Sequence, residues 1–584
     1  MTAAPRTHDP QQPIGRIPVL DVQPTVDCGA RPTKSVVDEE FTVTATIFRE
    51  GHDAVNASVV LTDPEGGEHL VPMTCTNPGL DTWEATVSAD RTGWWSFRVE
   101  GWSDPYGTWE HDAVIKVRAD VDTELMLQAG ALVMERALSE VTRTGAQRTV
   151  LLDAVTGLRD EGRPAAVRLK AGTDGSVETE LAARPLREYV SPSPEFSLLV
   201  ERERALVGAW YELFPRSEGA TYDEEEHRWT TGTLRTAARR LPAVAEMGFD
   251  VVYLTPIHPI GQAAKKGPNN TLDARPEDPG SPYAIGSADG GHDAIHPDLG
   301  TFEDFDAFVE VAKGLGLEVA MDLALQCSPD HPWVAAHPEW FTTAADGTIA
   351  YAENPPKKYQ DIYPVNFDND PAGIFAESLR LLRFWASHGV TIFRVDNPHT
   401  KSIQFWGWIM RHMHESHPHV LFLAEAFTRP EMMHALGKVG FTQSYTYFTW
   451  RNTKAELEEY LSELSGEMAP FYRPNFWVNT PDINPTFLQS GAPAAFAIRA
   501  ILAATLSPSW GVYSGFELYE HPPLRPGGEE YLDSEKYEYR PRNFEEPGHL
   551  GMLIGSLNAA RNRHAAFKSL RTIHFHPTSN ADII

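Results

Sequence analysis

From Ala205 onward the chain repeats one unit: a short, mostly apolar run, then a stretch whose apolar residues recur every three or four positions. The runs are ALVGAWYELF, VVYLTP, EVAMDLAL, TIFRVDN, VLFLAEAF, QSYTYFTW, NFWVNTPD and WGVYSGFEL, eight in all. Between them lie helical stripes such as Leu234, Ala238, Leu241 and Ala245, stopped by Gly248. A second stripe, Phe375, Leu379, Leu382 and Ala386, ends near Gly389. Thr301 with Asp304 has the form of a capping box opening a third, through Phe305, Phe308, Val309 and Ala312. Strands that are apolar on both faces and alternate with crossover helices predict a parallel sheet. Eight of them over about 350 residues predict a (β/α)8 TIM barrel with insertions, the longest running from about Pro259 to Gly300. An open doubly wound sheet is the alternative, but no Gly-x-Gly-x-x-Gly opens a helix.

The first third of the chain has another rhythm. From residue 14 to about 117 apolar residues alternate: Phe41, Val43, Ala45 and Ile47 against Thr42, Thr44 and Thr46, then Trp83, Ala85 and Val87, then Trp95, Phe97 and Val99. Period two with Pro, Gly and Asp turns predicts an antiparallel β-sandwich of the immunoglobulin or fibronectin kind. Near Ala119 the chain turns rich in Leu, Ala, Glu and Arg at helical spacing, as far as about residue 183. Ser191-Pro192-Ser193-Pro194 reads as a connector. The expected division is therefore a sandwich over 1–117, a helical unit over 118–195 and the barrel over 196–575.

Charge and cysteine content exclude several partners. Asp and Glu number 81 against 50 Lys and Arg, a formal charge of −31 with no long basic run, which disfavours nucleic acid and anionic membrane surfaces. Cys28, Cys75 and Cys327 neither make a disulfide framework nor stand at metal-ligand spacing, so neither metal nor cofactor is expected. The start, MTAAPRTHDPQQPIGRIPVL, lacks the apolar core of a secretion signal. The apolar stretch AAFAIRAILAATL is short and holds Arg499, so a buried helix is expected there and not a membrane span. Together these predict a soluble protein of the reducing cytoplasm.

Barrel active sites lie at the C-terminal ends of the strands, and acidic residues recur there: Asp322, Asp396, Glu425 and Asp482. Like charges converging on one rim are unfavourable unless the chemistry uses them. Acid, base and nucleophile acting on an acetal need such a set. Arg394 stands two residues before Asp396, on the same face of its strand, where a guanidinium keeps a carboxylate ionised and oriented.

These segments carry a resemblance. DLALQCSPDHPW, FRVDNPHT, LAEAF and NFWVNTPD resemble the four conserved regions of the α-amylase superfamily. The stretches GRIPVLDV, FREGHDAV, PIHPIG, KKGPNNTL, GGHDAIHP, AENPPKKYQDIYP, RVDNPHTK, QSYTYFTWRN and YLDSEKY resemble, over nearly the whole chain, the α-1,4-glucan:maltose-1-phosphate maltosyltransferases (GlgE type). The resemblance implies transfer of maltose from α-maltose 1-phosphate to the non-reducing end of an α-1,4-glucan, by retaining double displacement and with release of phosphate. It implies Asp396 as nucleophile, Glu425 as general acid and base, and Asp482 as third carboxylate. It implies Lys266, Gln326, Asp361, Asn397, Lys536 and Tyr537 as donor-binding residues, Gln326 and Cys327 replacing the Asn-His of ordinary amylases. Asn354, Lys357 and Tyr359 are expected to complete the pocket, and His292 and His399 to bond glucose hydroxyls. It further implies a homodimer and, after the barrel, a C-terminal β domain that residues 576–584 only begin. A glucan hydrolase or branching-type enzyme on the same barrel is the alternative, since it needs the three carboxylates but no phosphate pocket.

Overall fold

A computed structural model describes residues 15–354, 357–580 and 582–584, the side chains of Asn354 and Lys357 excepted. Residues to Val200 form one compact unit and those from Glu201 a second.

In the first unit two antiparallel sheets make a sandwich. One has the order 19–23, 41–47, 82–87, 74–77. The other has the order 33–36, 196–201, 93–103, 55–62, 68–72, with 188–192 also paired to 93–103. The alternation read in the sequence is the alternation of burial: Phe41, Val43, Ala45 and Ile47 are at most 3% exposed and pack with Val59, Trp95 and Phe97. Five helices follow, α1 (Pro105–Arg118), α2 (Thr123–Glu140), α3 (Gly145–Arg159), α4 (Ala165–Gly172) and α5 (Gly175–Ala183). They close over their own core of Trp109, Leu127, Met134, Leu151, Leu158 and Leu181. Helix α2 approaches α1 closely at Gly130, where a Cβ would come within 2.2 Å of the Trp109 ring.

The expected boundaries need two corrections. The helices start at Pro105, not at 118, because Asp104 caps the Gly107 N–H at 3.0 Å and Pro105 occupies the first turn. The expected connector at Ser191–Pro194 is sheet edge: 188–192 pairs with 93–103, the Ile17 N–H donates to Ser191 Oγ at 3.0 Å, and the Val99 N–H donates to Ser193 Oγ at 3.0 Å. Residues 196–201, expected to open the barrel, are a central sandwich strand.

The second unit is the barrel. Its eight parallel strands, in chain order, are Gly208–Leu213, Val251–Leu254, Glu318–Leu323, Ile392–Asp396, Leu421–Glu425, Gln443–Ser444, Phe476–Trp477 and Ser509–Tyr513. Each of the first five pairs with the next, the seventh with the eighth and the eighth with the first, and an isolated parallel bridge from Ser444 to Pro474, just before the seventh strand, closes the ring. All eight apolar runs of the sequence supply a strand, though QSYTYFTW contributes only two residues before turning into a 3-10 segment at Tyr447–Trp450. Outward positions such as Tyr211, Leu213, Val252 and Leu254 join the helix-facing core. Inward positions hold an aromatic set: Trp477 stacks on Tyr445 at 5.1 Å and meets Trp210 and Tyr253 edge-on at 6.3 and 6.2 Å. AAFAIRAILAATL is the helix Pro493–Leu506, whose Arg499 donates to the carbonyls of Phe448 and Arg451 at 2.6 and 2.7 Å. Among the described residues no helix is long and apolar enough to cross a membrane.

Candidate active site

The C-terminal ends of the strands open into a cavity of about 950 Å³, lined by Asp396, Glu425 and Asp482 among others. Strand register sets the first two side by side. Asp396 faces Glu425 across the fourth and fifth strands, and Asp322 faces Arg394 across the third and fourth. Arg394 and Asp396, two residues apart, point the same way. The Arg394 guanidinium therefore reaches three carboxyls, Asp322 at 3.1 Å, Asp396 at 3.0 Å and Glu425 at 2.9 Å. All four residues are at most 7% exposed. Tyr253 and Tyr283 both donate to Asp322 Oδ2, Tyr283 at 3.2 Å.

This arrangement pushes the two neighbouring carboxyls in opposite directions. Burial alone would push Asp396 up, but Arg394 and Lys401 outweigh it and hold its carboxyl below the ordinary range. Burial pushes Glu425 well up against the pull of Arg394, and the adjacent Asp396 carboxylate pushes it further. Burial also lifts Asp322, to about 6, in spite of Arg394. One carboxylate ready to attack beside one carboxylic acid ready to protonate is the pairing that acetal chemistry requires.

The remaining expected residues fall into three groups. Gln326, Asp361, Asn397, His399, Lys536, Tyr537 and Tyr359 line the cavity with the carboxylates. Asn397 sits in a left-handed conformation, φ 42°, directly after Asp396. Lys536 donates to both oxygens of Asp482 at 2.9 Å and lies 4.7 Å from the centre of the Tyr283 ring. Asp361 is 2% exposed with Oδ1 unpartnered, and burial raises its pKa against the opposing charge of Lys266. Lys266 itself is 3% exposed, donates to Gln360 at 3.2 Å and is not among the lining residues. The side chains of Asn354 and Lys357 lie outside the described residues.

His292 forms the third group: it does not line the cavity, and both its ring nitrogens are bonded inside the protein. The Trp333 N–H donates to His331 Nδ1 at 3.0 Å, His331 Nε2 lies 3.0 Å from His292 Nδ1, and His292 Nε2 lies 2.8 Å from the Ala324 carbonyl. A backbone N–H at one end and a carbonyl at the other fix both tautomers: each ring donates from Nε2 and accepts at Nδ1. Every ring nitrogen is used, and His292 is 3% exposed. Burial holds His258, His292 and His331 down to about 3, so all three are neutral. Cys327 lies near enough to His292 and His331 to suggest a metal ligand set, with the three ligand atoms within 4.8 Å of one another. The set does not fit a metal, because the imidazole lone pairs are already accepting hydrogen bonds and burial pushes the thiol well up.

Two functional neighbours went unread in the sequence. Lys401 lines the cavity, and its ammonium donates to the carbonyls of Asp396 and Asn397 at 3.3 and 3.2 Å and to Thr400 Oγ1 at 3.1 Å. It thus clamps the bend behind Asp396. Its signal is a lone lysine five residues after the strand-end aspartate. Glu212, on the first strand, is 1% exposed and faces inward between the outward Tyr211 and Leu213. Its signal is one acid inside an apolar run.

The chain is similar to known proteins over nearly its whole length. The family profile described as α-1,4-glucan:maltose-1-phosphate maltosyltransferase, domain N/S, matches residues 15–202. α-1,4-Glucan:maltose-1-phosphate maltosyltransferase 1 of Streptomyces coelicolor is 58% identical over 576 residues, 98% of this chain and 84% of that protein. The enzyme of the same name from Mycobacterium tuberculosis is 50% identical over 597 residues, 97% of this chain and 84% of that protein. Among solved structures, an α-amylase from Lactobacillus plantarum covers 63% of this chain and 82% of its own at 22% identity, with a TM-score of 0.47.

Proposed function

Because the chain belongs to the α-1,4-glucan:maltose-1-phosphate maltosyltransferase family, we propose that it transfers maltosyl units from α-maltose 1-phosphate to the non-reducing ends of α-1,4-glucans. The observation that carries this reading is the single guanidinium of Arg394 bonded to both Asp396 and Glu425, at 3.0 and 2.9 Å, where it holds Asp396 low while burial and Asp396 push Glu425 up in spite of it.

In the first step an Asp396 oxygen attacks the anomeric carbon as the bond to the phosphate oxygen breaks. Glu425 gives its proton to the departing phosphate, leaving a β-maltosyl ester on Asp396. In the second step the 4-hydroxyl of a glucan end attacks the same carbon. Glu425, now a carboxylate, takes the hydroxyl proton, and Asp396 leaves with its electron pair, so the product is α-linked again. Two carboxyls on adjacent nitrogens of one guanidinium suit this retaining course. An inverting course needs about 6.5–9.5 Å between carboxyls to seat a water. Lys401 and Lys536 bring two ammonium groups near Asp396, which supports departure of a phosphate in preference to a neutral alcohol. Asp482 and Asp361 are assigned to sugar hydroxyls, with Gln326, Asn397, His399, Tyr359 and Tyr537 around them. Lys266 is assigned to the charge balance of Asp361.

Incubation with maltose 1-phosphate and a short maltooligosaccharide is expected to release phosphate and lengthen the glucan by two glucose units. Release without lengthening, or new reducing ends from glycogen alone, favours a hydrolase and overturns the proposal. A phosphorylated donor does not cross a bilayer unaided, which supports a cytoplasmic site of action. A homodimer through the first unit is part of the same reading, supported by the exposed Leu125, Leu132 and Leu152 on its helices. Sedimentation as a monomer at micromolar concentration contradicts that part alone.

A further inference from the structure

Beneath the three carboxyls the barrel core holds polar atoms that no described residue satisfies. Both carboxyl oxygens of Glu212 are buried without a hydrogen-bond partner, and so are Arg394 Nε and Asp322 Oδ1. Glu212 lies in register with Tyr253, whose ring is 5.7 Å from the Arg394 guanidinium and whose hydroxyl donates to Asp322. Buried polar atoms in native interiors are nearly all bonded, to protein or to ordered water, and those with no protein partner are where buried water sits.

The valences of these atoms say how. Arg394 Nε offers one proton and no lone pair, while Asp322 Oδ1 offers lone pairs and no proton. A neutral carboxylic acid answers both, its carbonyl oxygen accepting from the Arg394 side and its hydroxyl donating to the Asp322 side. An ionised Glu212 has only acceptors, and it adds a charge facing Asp322 in a core that already holds the Asp396 carboxylate. Burial pushes the Glu212 carboxyl well above its ordinary value, against Arg394 and in concert with Asp322, Glu425 and Asp482. The phenols of Tyr253, Tyr283 and Tyr445 face the same space and are themselves pushed well up by burial. On the other side the register neighbour Tyr513 has its hydroxyl committed to Glu535.

We infer that Glu212 is a positioning residue. As a neutral acid, bridged by buried water, it completes the hydrogen bonding of Arg394 at Nε and of Asp322 at Oδ1, and so fixes the guanidinium that aligns Asp396 and Glu425. It touches neither donor nor acceptor. The inference rests on the proposed chemistry at Asp396 for its kinetic consequences and is independent of it for its structural ones.

Glutamine offers the same donor and acceptor pair in the same shape, and leucine offers neither, so the two variants separate the possibilities. Glu212→Gln is expected to keep kcat within about threefold of the parent, with the acid limb of the kcat/KM profile unmoved. Glu212→Leu is expected to lose about 10- to 100-fold in kcat, with the KM for the glucan acceptor within about threefold. Its acid limb is expected to rise by about one pH unit, because a loosened Arg394 depresses Asp396 less. A purely structural role lowers the melting temperature and leaves the limb in place. A folded Glu212→Leu protein with unchanged kcat and limb overturns the inference, and so does a Glu212→Gln protein that shifts as far as the leucine variant. A crystal structure of the parent protein decides the matter without substrate. Water bonded to Arg394 Nε and to Glu212 is expected, and its absence at high resolution overturns the inference even if Glu212→Leu does not fold. A parent protein that shows this water but releases no phosphate from maltose 1-phosphate refutes the proposed function and leaves the placement of Glu212 standing.

Discussion

Two of the buried polar clusters in the barrel unit are built on opposite plans. In the histidine cluster, His292 and His331 are neutral and joined into a relay that begins on a backbone N–H and ends on a carbonyl. Every lone pair and proton of its rings is spent inside the protein. In the carboxylate cluster, one guanidinium serves three carboxyls, and Asp322, Arg394, Glu425 and Asp361 each keep an atom without a partner. A closed network rigidifies its loop and has nothing to offer a ligand. An open one costs stability and is retained where something else completes it.

The largest effect that separates the two plans is at Asp396. Asp396→Ala is expected to lower phosphate release from maltose 1-phosphate by about 10⁴-fold or more while leaving a cooperatively folded chain. Activity within tenfold of the parent sinks the assignment. Next comes a matched pair of substitutions. Arg394→Met strands buried carboxyls and is expected to cost about 3–5 kcal/mol in urea denaturation, with transfer activity lost. His331→Gln removes one relay bond and is expected to cost about 1–3 kcal/mol, with kcat within about twofold. Equal losses of activity in the two variants erase the distinction drawn here.

A smaller and more diagnostic effect is the response to pH. Asp396 must be ionised and is held low, so kcat/KM falls as the pH drops through its pKa. Glu425 must be protonated and is held high, so the rate falls as the pH climbs through its own. For the histidines the effect is on stability. Folded values of about 3 stand against about 6.5 in the unfolded chain. Between those limits the unfolded chain binds more protons, so stability declines as the pH is lowered from 6.5 toward 3. A melting temperature that holds level from pH 6.5 to 4.5 contradicts the buried neutral relay. The smallest expected effect is none at all. Zinc and EDTA should each leave the melting temperature within about 1 °C, because a relay without free lone pairs gains nothing by mass action. A zinc-dependent rise reopens the metal reading of His292, Cys327 and His331.

The sequence was most legible where one residue's role depends on its own strand. The eight runs could be read because parallel strands covered on both faces must be apolar along their whole length. Arg394 and Asp396 could be read because two positions along a strand return to the same face. Legibility failed where the deciding partner is far along the chain. His292 in its glycine-rich loop looks like a residue held out to a sugar, and what turns it inward is His331, 39 residues later. Glu212 is one acid in the apolar run WYELF, and the role inferred for it depends on Arg394 and Asp322 on two other strands. The sandwich boundary was misplaced for a related reason. Strands 188–192 and 196–201 return to a sheet that the chain had left for five helices, and nothing local in Ser191–Pro194 announces it.

The handshake between Lys536 and Asp482 leaves that pair self-neutralised before any guest arrives. A plain glucan seeking the hydroxyl-binding power of Asp482 would have to pry it from a lysine and abandon that ammonium in a crevice where its side chain keeps only 17% of its exposure. A guest bearing its own anion brings the replacement along and frees the aspartate in the same movement. Under the proposed function, the doorway then favours molecules that carry their countercharge with them, before any bond is made or broken.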